Sequence, residues 1–283
     1  MADILIIYTG GTIGMVPGPD GLEPGRGVLQ AALATLLPKG VTSVVDSFDP
    51  LIDSANIRPT DWNLMLDRID AFAGKGVIVV HGTDTMAFTG AALASALGQP
   101  RVPVVLCGSM LPLGSGGDAE ANLALALHTA VSGQAGVWLA FAGRVLPALG
   151  LVKHDSHQAD AFRATPQTAL PPTARRFADR RLAVLSLSPG LPAAALDAAL
   201  SELDGAVLRV FGAGTMMQDA QIEAALRQAI AKGCRIRAVS QCETGGLEPA
   251  AYAAGAELWA AGVENGGTET PELALARLLL SLS

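Results

Sequence analysis

The sequence predicts an α/β protein of two open domains with largely parallel sheets, the larger N-terminal and the smaller C-terminal, joined by a Pro-containing linker. Short apolar runs without polar alternation recur along the 283 residues, each ending in a glycine-rich or small polar loop. Runs of about 4–8 residues of this kind suit strands buried on both faces, as in parallel sheets. Helical stretches of about ten residues or more lie between them, and strand, loop, helix in repetition marks an open α/β fold. One proline-rich, charged segment breaks the rhythm.

Taken in order, ILIIY at 4–8 feeds TGGTIG, VIVV at 77–80 feeds HGTDT, and VPVVLC at 102–107 feeds GSMLPLGSGGD. VWLAFA at 137–142 follows and ends in GR. Beyond the interruption come LAVLSLS at 182–188, AVLRVF at 206–211 leading into GAGT, and IRAVS at 236–240 leading into QCETGG. The helical candidates are Thr85–Leu97, Ala119–Ser132, Pro192–Leu203, Gln221–Lys232 and Pro271–Leu280. The interruption, TPQTALPPTARRFADRR at 165–181, is read as a linker between a domain over 1–164 and a smaller one over 182–283.

Composition narrows the function classes. The chain is 50% hydrophobic and 16% charged, too apolar to stay disordered. Nineteen basic against 26 acidic residues give a net charge of -7. Such a chain gains nothing from counterion release on nucleic acid or from anionic lipid, so neither is expected as a partner. Cys107, Cys234 and Cys242 are odd in number and form no C-x-x-C pair, which favours a reducing compartment over a disulfide framework. The N-terminus lacks a basic n-region, and no apolar stretch approaches the ~18 residues of a membrane span. A soluble, cytoplasmic protein is expected.

Sites in open α/β sheets form where the loops at the carboxyl ends of strands meet. In Thr9-Gly10-Gly11-Thr12-Ile13-Gly14, adjacent glycines let the backbone turn sharply and leave N–H groups facing an anion or oxyanion. The Thr12 hydroxyl stands among those donors, although a tight turn alone would also explain the glycines. The spacing G-G-x-x-G is not the dinucleotide fingerprint G-x-G-x-x-G. In His81-Gly82-Thr83-Asp84-Thr85, two hydroxyls bracket a carboxylate ahead of a helix. Capping by Thr83 or Asp84 accounts for one of these residues and not for the set. His81 reads as a satisfied loop histidine, and Lys153 taken alone as a solvated surface lysine. His154 and His157 have no third ligand to complete a set, so no metal is expected. No G-x-S-x-G elbow occurs.

YTGGTIG at 8–14 and HGTDTM at 81–86, in this order, resemble the two signature motifs of the bacterial-type L-asparaginases, which are threonine amidohydrolases. ANIRPTDW after Asp53-Ser54 resembles the family's substrate-binding loop and the helix behind it, and Lys153 matches the family lysine upstream of D-x-F, here Asp160-Ala161-Phe162. The D-S form of that loop and SQC at 240–242 are similar to the cytoplasmic, type I branch. The resemblance spans nearly the whole chain. It implies hydrolysis of L-asparagine to L-aspartate and ammonia, with Thr12 as the nucleophile that becomes acylated. It makes Thr83, Asp84 and Lys153 a second hydroxyl–carboxylate–amine group. Asp53 and Ser54 would hold the α-carboxylate, Asp84 the α-ammonium, and Gly11 and Gly82 would also contact substrate. Backbone amides near Gly11 and Thr83 would form the oxyanion hole. No cofactor is implied, and the family's sites are completed across a subunit interface, so a homodimer or homotetramer is expected.

Two positions depart from the family pattern. Leu22 in DGLEPG stands where the family carries a tyrosine on the mobile loop after the first motif, and Thr215 ends GAGT where an Asn is frequent. The choice between asparagine and glutamine is not legible, because one methylene is worth only about 1–3 kcal/mol in a pocket. Two rival readings use the same residues. A non-catalytic amino-acid-binding protein would keep the pocket without the lid tyrosine. An amidase subunit acting on aminoacyl-tRNA would be expected to carry an extra N-terminal module and less negative charge.

Overall fold

Five consecutive apolar residues cannot keep one face in water, and β1 (Ile4–Tyr8) is buried at every position. In the computed structural model, which describes residues 2–19, 21–249 and 252–283, the chain divides into two units, Met1–Arg176 and Phe177–Ser283. In the first unit β1 leads into a hairpin of β2 (Met15–Gly18) and β3 (Gly21–Pro24), then α1 (Val28–Leu36), β4 (Ser43–Ser47) and α2 (Pro59–Ala71). Next come β5 (Gly76–Val80), α3 (Met86–Leu97), β6 (Pro103–Cys107), α4 (Ala119–Ser132), β7 (Gly136–Phe141) and β8 (Arg144–Pro147). A second hairpin, β9 (Leu151–Lys153) with β10 (Phe162–Ala164), follows.

Six of these strands form one sheet in the order β4-β1-β5-β6-β7-β8, parallel except for β8 at the edge. The chain leaves β1 for β4 on one side and comes back across it to β5 on the other, so the winding reverses between β1 and β5. Ligands of open α/β sheets settle in the crevice at that reversal. The two motif-bearing loops are the ones that leave β1 and β5 there. Beneath them, Ile4, Ile6 and Tyr8 pack with Ile78, Val80, Val105 and Cys107 and with Leu123, Ala126 and Leu127 of α4. That core holds the strand ends at fixed separation.

The second unit repeats the α/β scheme with β11 (Leu182–Ser186), α5 (Ala193–Ser201), β12 (Gly205–Val210), α6 (Ala220–Ala231) and β13 (Arg235–Ser240). It ends with α7 (Ala256–Ala260), β14 (Glu264–Asn265) and α8 (Pro271–Ser281). Its four strands are parallel in sequential order. Asp219 caps α6 by accepting from the amides of Gln221 and Ile222, and Thr270 caps α8 by accepting from Leu273.

All seven apolar runs are strands. The run at 137–142 stops at Phe141 because Ala142 adopts a φ of 49° in the turn to β8. The hairpins, β4, β8, β14, α1 and α7 lie outside those runs and helical stretches: they are short or partly exposed and carry no long apolar run. The stretch 165–181 contains neither helix nor strand. Its first part is fastened within the first unit, where Thr165 N–H donates to Gly150 (2.9 Å) and Arg176 pairs with Asp67 and Asp70. From Phe177 it groups with the second unit, where Ala178 N–H donates to Ser283 Oγ (2.8 Å). Among the described residues no helix is long and apolar enough to cross a membrane.

Candidate active site

The loops after β1 and β5 touch backbone to backbone. A Cβ at Gly11, whose φ is +101°, would stand 2.6 Å from the amide nitrogen of Gly82, and a Cβ at Gly82 would stand 2.5 Å from Ser54 Oγ. Only glycine permits that approach, which is the physical content of the glycines in both motifs. Thr9 fixes the same junction, its amide and its hydroxyl both donating to Val80 carbonyl at 3.0 Å. Thr12 then begins a 3-10 turn over Thr12–Gly14, which raises its hydroxyl at the strand end.

Neither Thr83 nor Asp84 caps α3. The cap position is Thr85, which makes no side-chain capping bond and instead donates its hydroxyl to Ser54 carbonyl (2.6 Å). Thr83 and Asp84 are left to meet Lys153. The ammonium of Lys153 donates to Thr83 Oγ1 at 2.9 Å and to Asp84 Oδ1 at 2.7 Å. Its side chain is 17% exposed, whereas that of Asp84 is 69% exposed, so the amine is shielded and the carboxylate reaches solvent.

Lys153 is brought there by its hairpin. It lies opposite Phe162, which is fully buried and packs edge-on against Phe141 with ring centres 5.0 Å apart. Arg144 pairs with Asp160 and donates to Phe162 carbonyl, so the D-x-F segment anchors the lysine strand through one aromatic and one ion pair.

Asp53 and Ser54 enter from the segment between β4 and α2. Asp53 accepts from Ala55 N–H (3.0 Å) at the start of a 3-10 turn over Ser54–Asn56, and Ser54 is buried. Gly11, Thr12, Asp53, Ser54, Gly82, Thr83, Asp84 and Lys153 all line one cavity of about 230 Å³, together with Met15, Ser109, Met110 and Ser156. That volume suits a compact polar molecule of amino-acid size better than a drug-sized ligand. Glycine backbone, five hydroxyl-bearing loops, an amine and two carboxylates converge there, a set able to hold a zwitterion and to activate a hydroxyl.

Met15, Ser109, Met110 and Ser156 carry no pattern that sequence reasoning could have singled out. The first opens β2, the next two follow β6, and the last follows Lys153. Carboxylate Asp118 holds the β6 loop in place by accepting from Met110 (2.9 Å) and Leu111 (3.1 Å) amides. Leu22 is half-exposed on β3, beside residue 20, which lies outside the described residues. Thr215 lies in the second unit, bridged to Phe211 in the turn after β12.

His81 is not in the cavity lining. It is fully buried behind the loop, with Nδ1–H donating to Gly82 carbonyl (2.7 Å) and Nε2 accepting from Thr89 hydroxyl (3.0 Å). That hydroxyl in turn accepts from Trp62 Nε1–H (3.0 Å). Burial lowers the His81 pKa to about 4, so the ring is neutral at pH 7 and supports the loop. Cys107, at the end of β6, is pushed up to about 12 by burial. Among the described residues no group of three or more His, Cys, Asp or Glu side chains is placed to hold a metal ion.

Residues 3–179 match the family described as "Asparaginase, N-terminal", and residues 181–283 match "Glutaminase/Asparaginase C-terminal domain". The chain is 30% identical to L-asparaginase 1 of Escherichia coli K12, over 99% of this chain and 91% of that protein. The structure of the thermostable L-asparaginase from Thermococcus kodakarensis superposes with a TM-score of 0.86 at 27% identity, covering 99% of this chain and 92% of that one. One component of the glutamyl-tRNA(Gln) amidotransferase of Thermoplasma acidophilum is 28% identical over 97% of this chain but 71% of its own length.

Proposed function

The chain belongs to the asparaginase family, and from that premise we propose that it hydrolyses the side-chain amide of L-asparagine, releasing L-aspartate and ammonia through an acyl-enzyme on Thr12. The observation that carries the reading is the meeting of Thr12 with the Lys153–Thr83–Asp84 group in one cavity. A threonine hydroxyl is a weak nucleophile and needs a base within hydrogen-bond reach. Lys153 in its amine form serves through the Thr83 hydroxyl, and Asp84 compensates the charge that arises on it.

The attacked carbonyl oxygen becomes an oxyanion against the amides at Gly11 and Thr83, where each such donor contributes about 3–4 kcal/mol in comparable acyl transfers. The Asp84 carboxylate also attracts the substrate's α-ammonium, and Ser54, in the turn that Asp53 holds, orients its α-carboxylate. The route requires no metal or organic cofactor. We further propose a cytoplasmic enzyme acting as a homodimer or homotetramer, with nucleic acid and membrane absent from its partners.

Ammonia release with L-asparagine, L-glutamine and D-asparagine at neutral pH tests the reading. Turnover of L-asparagine is expected, and the L-glutamine rate measures the preference between the two amides. Stabilisation by asparagine without ammonia would make the chain an amino-acid-binding protein instead. Amide hydrolysis that appears only when an aminoacyl-tRNA is added would make it an amidase subunit.

A further inference from the structure

Amide cleavage by a hydroxyl needs two proton transfers, one away from the attacking oxygen and one onto the departing nitrogen, because the nitrogen leaves as ammonia. The Lys153–Thr83 contact addresses the first. The flap over residues 15–27, next to Thr12, contains no Ser, Thr or Tyr. The hydroxyls of the cavity are therefore those of Thr12, Ser54, Thr83, Ser109 and Ser156. Ser109 donates to Leu111 carbonyl at 2.6 Å, and Thr83 is held by Lys153.

Ser156 lines the cavity, and its Oγ lies 2.6 Å from Nδ1 of His157, whose exposed imidazole stands behind it on the solvent side. The turn that carries the pair is fixed. Asp155 carboxylate accepts from the amides of Gln158 (2.8 Å) and His157 (2.7 Å), and these bonds pull its pKa below the usual carboxylate range. His154 N–H donates to Ala161 carbonyl (2.9 Å), closing the hairpin whose other duty is to present Lys153. One hairpin thus brings an amine and a hydroxyl to the same cavity, the hydroxyl backed by an imidazole outside it.

We propose that Ser156 and His157 form a second proton-transfer pair that serves the leaving nitrogen, an inference that rests on the amidohydrolase reading above. In acylation the Thr12 oxygen bonds to the amide carbon and its proton passes through Thr83 to the Lys153 amine. The C–N bond breaks as the Ser156 proton moves to nitrogen and is replaced through the His157 imidazole. In deacylation a water oxygen bonds to the acyl carbon and its proton returns through Ser156 to the imidazole. The ester C–O bond then breaks, and Thr12 recovers its proton from Lys153 through Thr83. One water is consumed, one ammonia leaves, and both bases are restored. His157 touches no reacting atom and is a positioning residue that recharges Ser156.

The test compares native chain, Ser156→Ala and His157→Ala on L-asparagine and on an aryl β-ester of aspartate, whose phenolate departs without a proton. On asparagine each variant is expected to lose about 10²-fold in kcat, the low end for a positioned general acid because the mouth is open to water. The phenolate burst, which reports acylation alone, should hold its rate. Combining the two substitutions should cost no more than either alone, and added imidazole should restore His157→Ala but not Ser156→Ala. Variants whose phenolate burst slows as much as their asparagine turnover, or that slow neither, overturn the pair while leaving the asparagine reading standing. A native chain that gives the phenolate burst but no ammonia from asparagine overturns the asparagine reading itself, and the pair with it.

Discussion

Acid should loosen the first unit through one buried imidazole. His81 has no exposed surface, and its two nitrogens are already satisfied by Gly82 carbonyl and Thr89 hydroxyl. A proton on Nε2 would face the Thr89 oxygen from inside an apolar wall, so burial lowers the folded pKa from 6.5 to about 4. Between those values the unfolded chain binds more protons than the folded one. Stability is therefore complete above pH 6.5 and is lost as pH falls toward 4, by about 3 kcal/mol in all. That is a large share of the roughly 5–15 kcal/mol that holds a domain together. Asp70, Asp155 and Asp204, whose pKa values are held low by hydrogen bonds and ion pairs, act at lower pH, because their unfolded values lie near 3.8. Glu272, raised from 4.5 by burial, belongs to the second unit and works in the opposite sense. The assay is urea unfolding of the first unit's transition at steps from pH 7 to pH 4, with His81→Gln as the non-titrating control. The native chain should lose the full amount and the variant far less. An equal slope in both would refute the assignment of the loss to His81.

Thr12→Ala should abolish ammonia release from asparagine while leaving the melting temperature unchanged, since the side chain sits at a loop and not in the core; near-native rates would remove the acyl-threonine. Lys153→Met should slow turnover by about 10²–10⁴-fold, with the larger effect on kcat, as Thr83 loses the amine that relays its proton. Raising the pH past 9 should destabilise the first unit through Cys107, whose thiol ionises near 9 unfolded but is held to about 12 when folded, and Cys107→Ala should flatten that alkaline limb. We propose the boundary between the domains at 165–181, and limited proteolysis should cut there first, giving fragments near 1–170 and 180–283 in mass spectra; first cuts within 182–283 would contradict it.

The parts of the fold legible in sequence were those that burial writes as unbroken apolar runs. ILIIY and VIVV suited interior strands, and the paired glycines at 10 and 11 pointed to a sharp turn at a strand end, though not to the close approach that Gly11 and Gly82 make. The side of the site supplied by Lys153 was legible only through its resemblance to a known segment, because a lysine beside two exposed histidines looks like any solvated surface. Ser156 and Met110 left no mark at all: each reaches the cavity because a loop is tied back by Asp155 or Asp118, and such ties join residues through the folded chain and not through a repeating pattern. Position 22 was legible as a residue and not as a consequence, since a leucine on a half-exposed flap says what is missing and not what takes its place.

The two halves of the cavity are not equally well anchored. Thr12 and Thr83 leave strands from the interior of a six-stranded sheet, whereas Lys153 rides on a two-stranded hairpin secured by buried Leu151, Ala161 and Phe162 and by the Arg144–Asp160 pair. A two-stranded ribbon with an exposed turn opens at a lower free energy than the core that carries the nucleophile. On heating, the amine should depart before the sheet melts, so catalysis would fade over a range in which circular dichroism still registers a folded protein. Cooling would bring it back without any refolding delay, and amide exchange at 151–153 and 162–164 would mark the onset. For an engineer seeking heat tolerance, the first place to reinforce is this small ribbon and not the core.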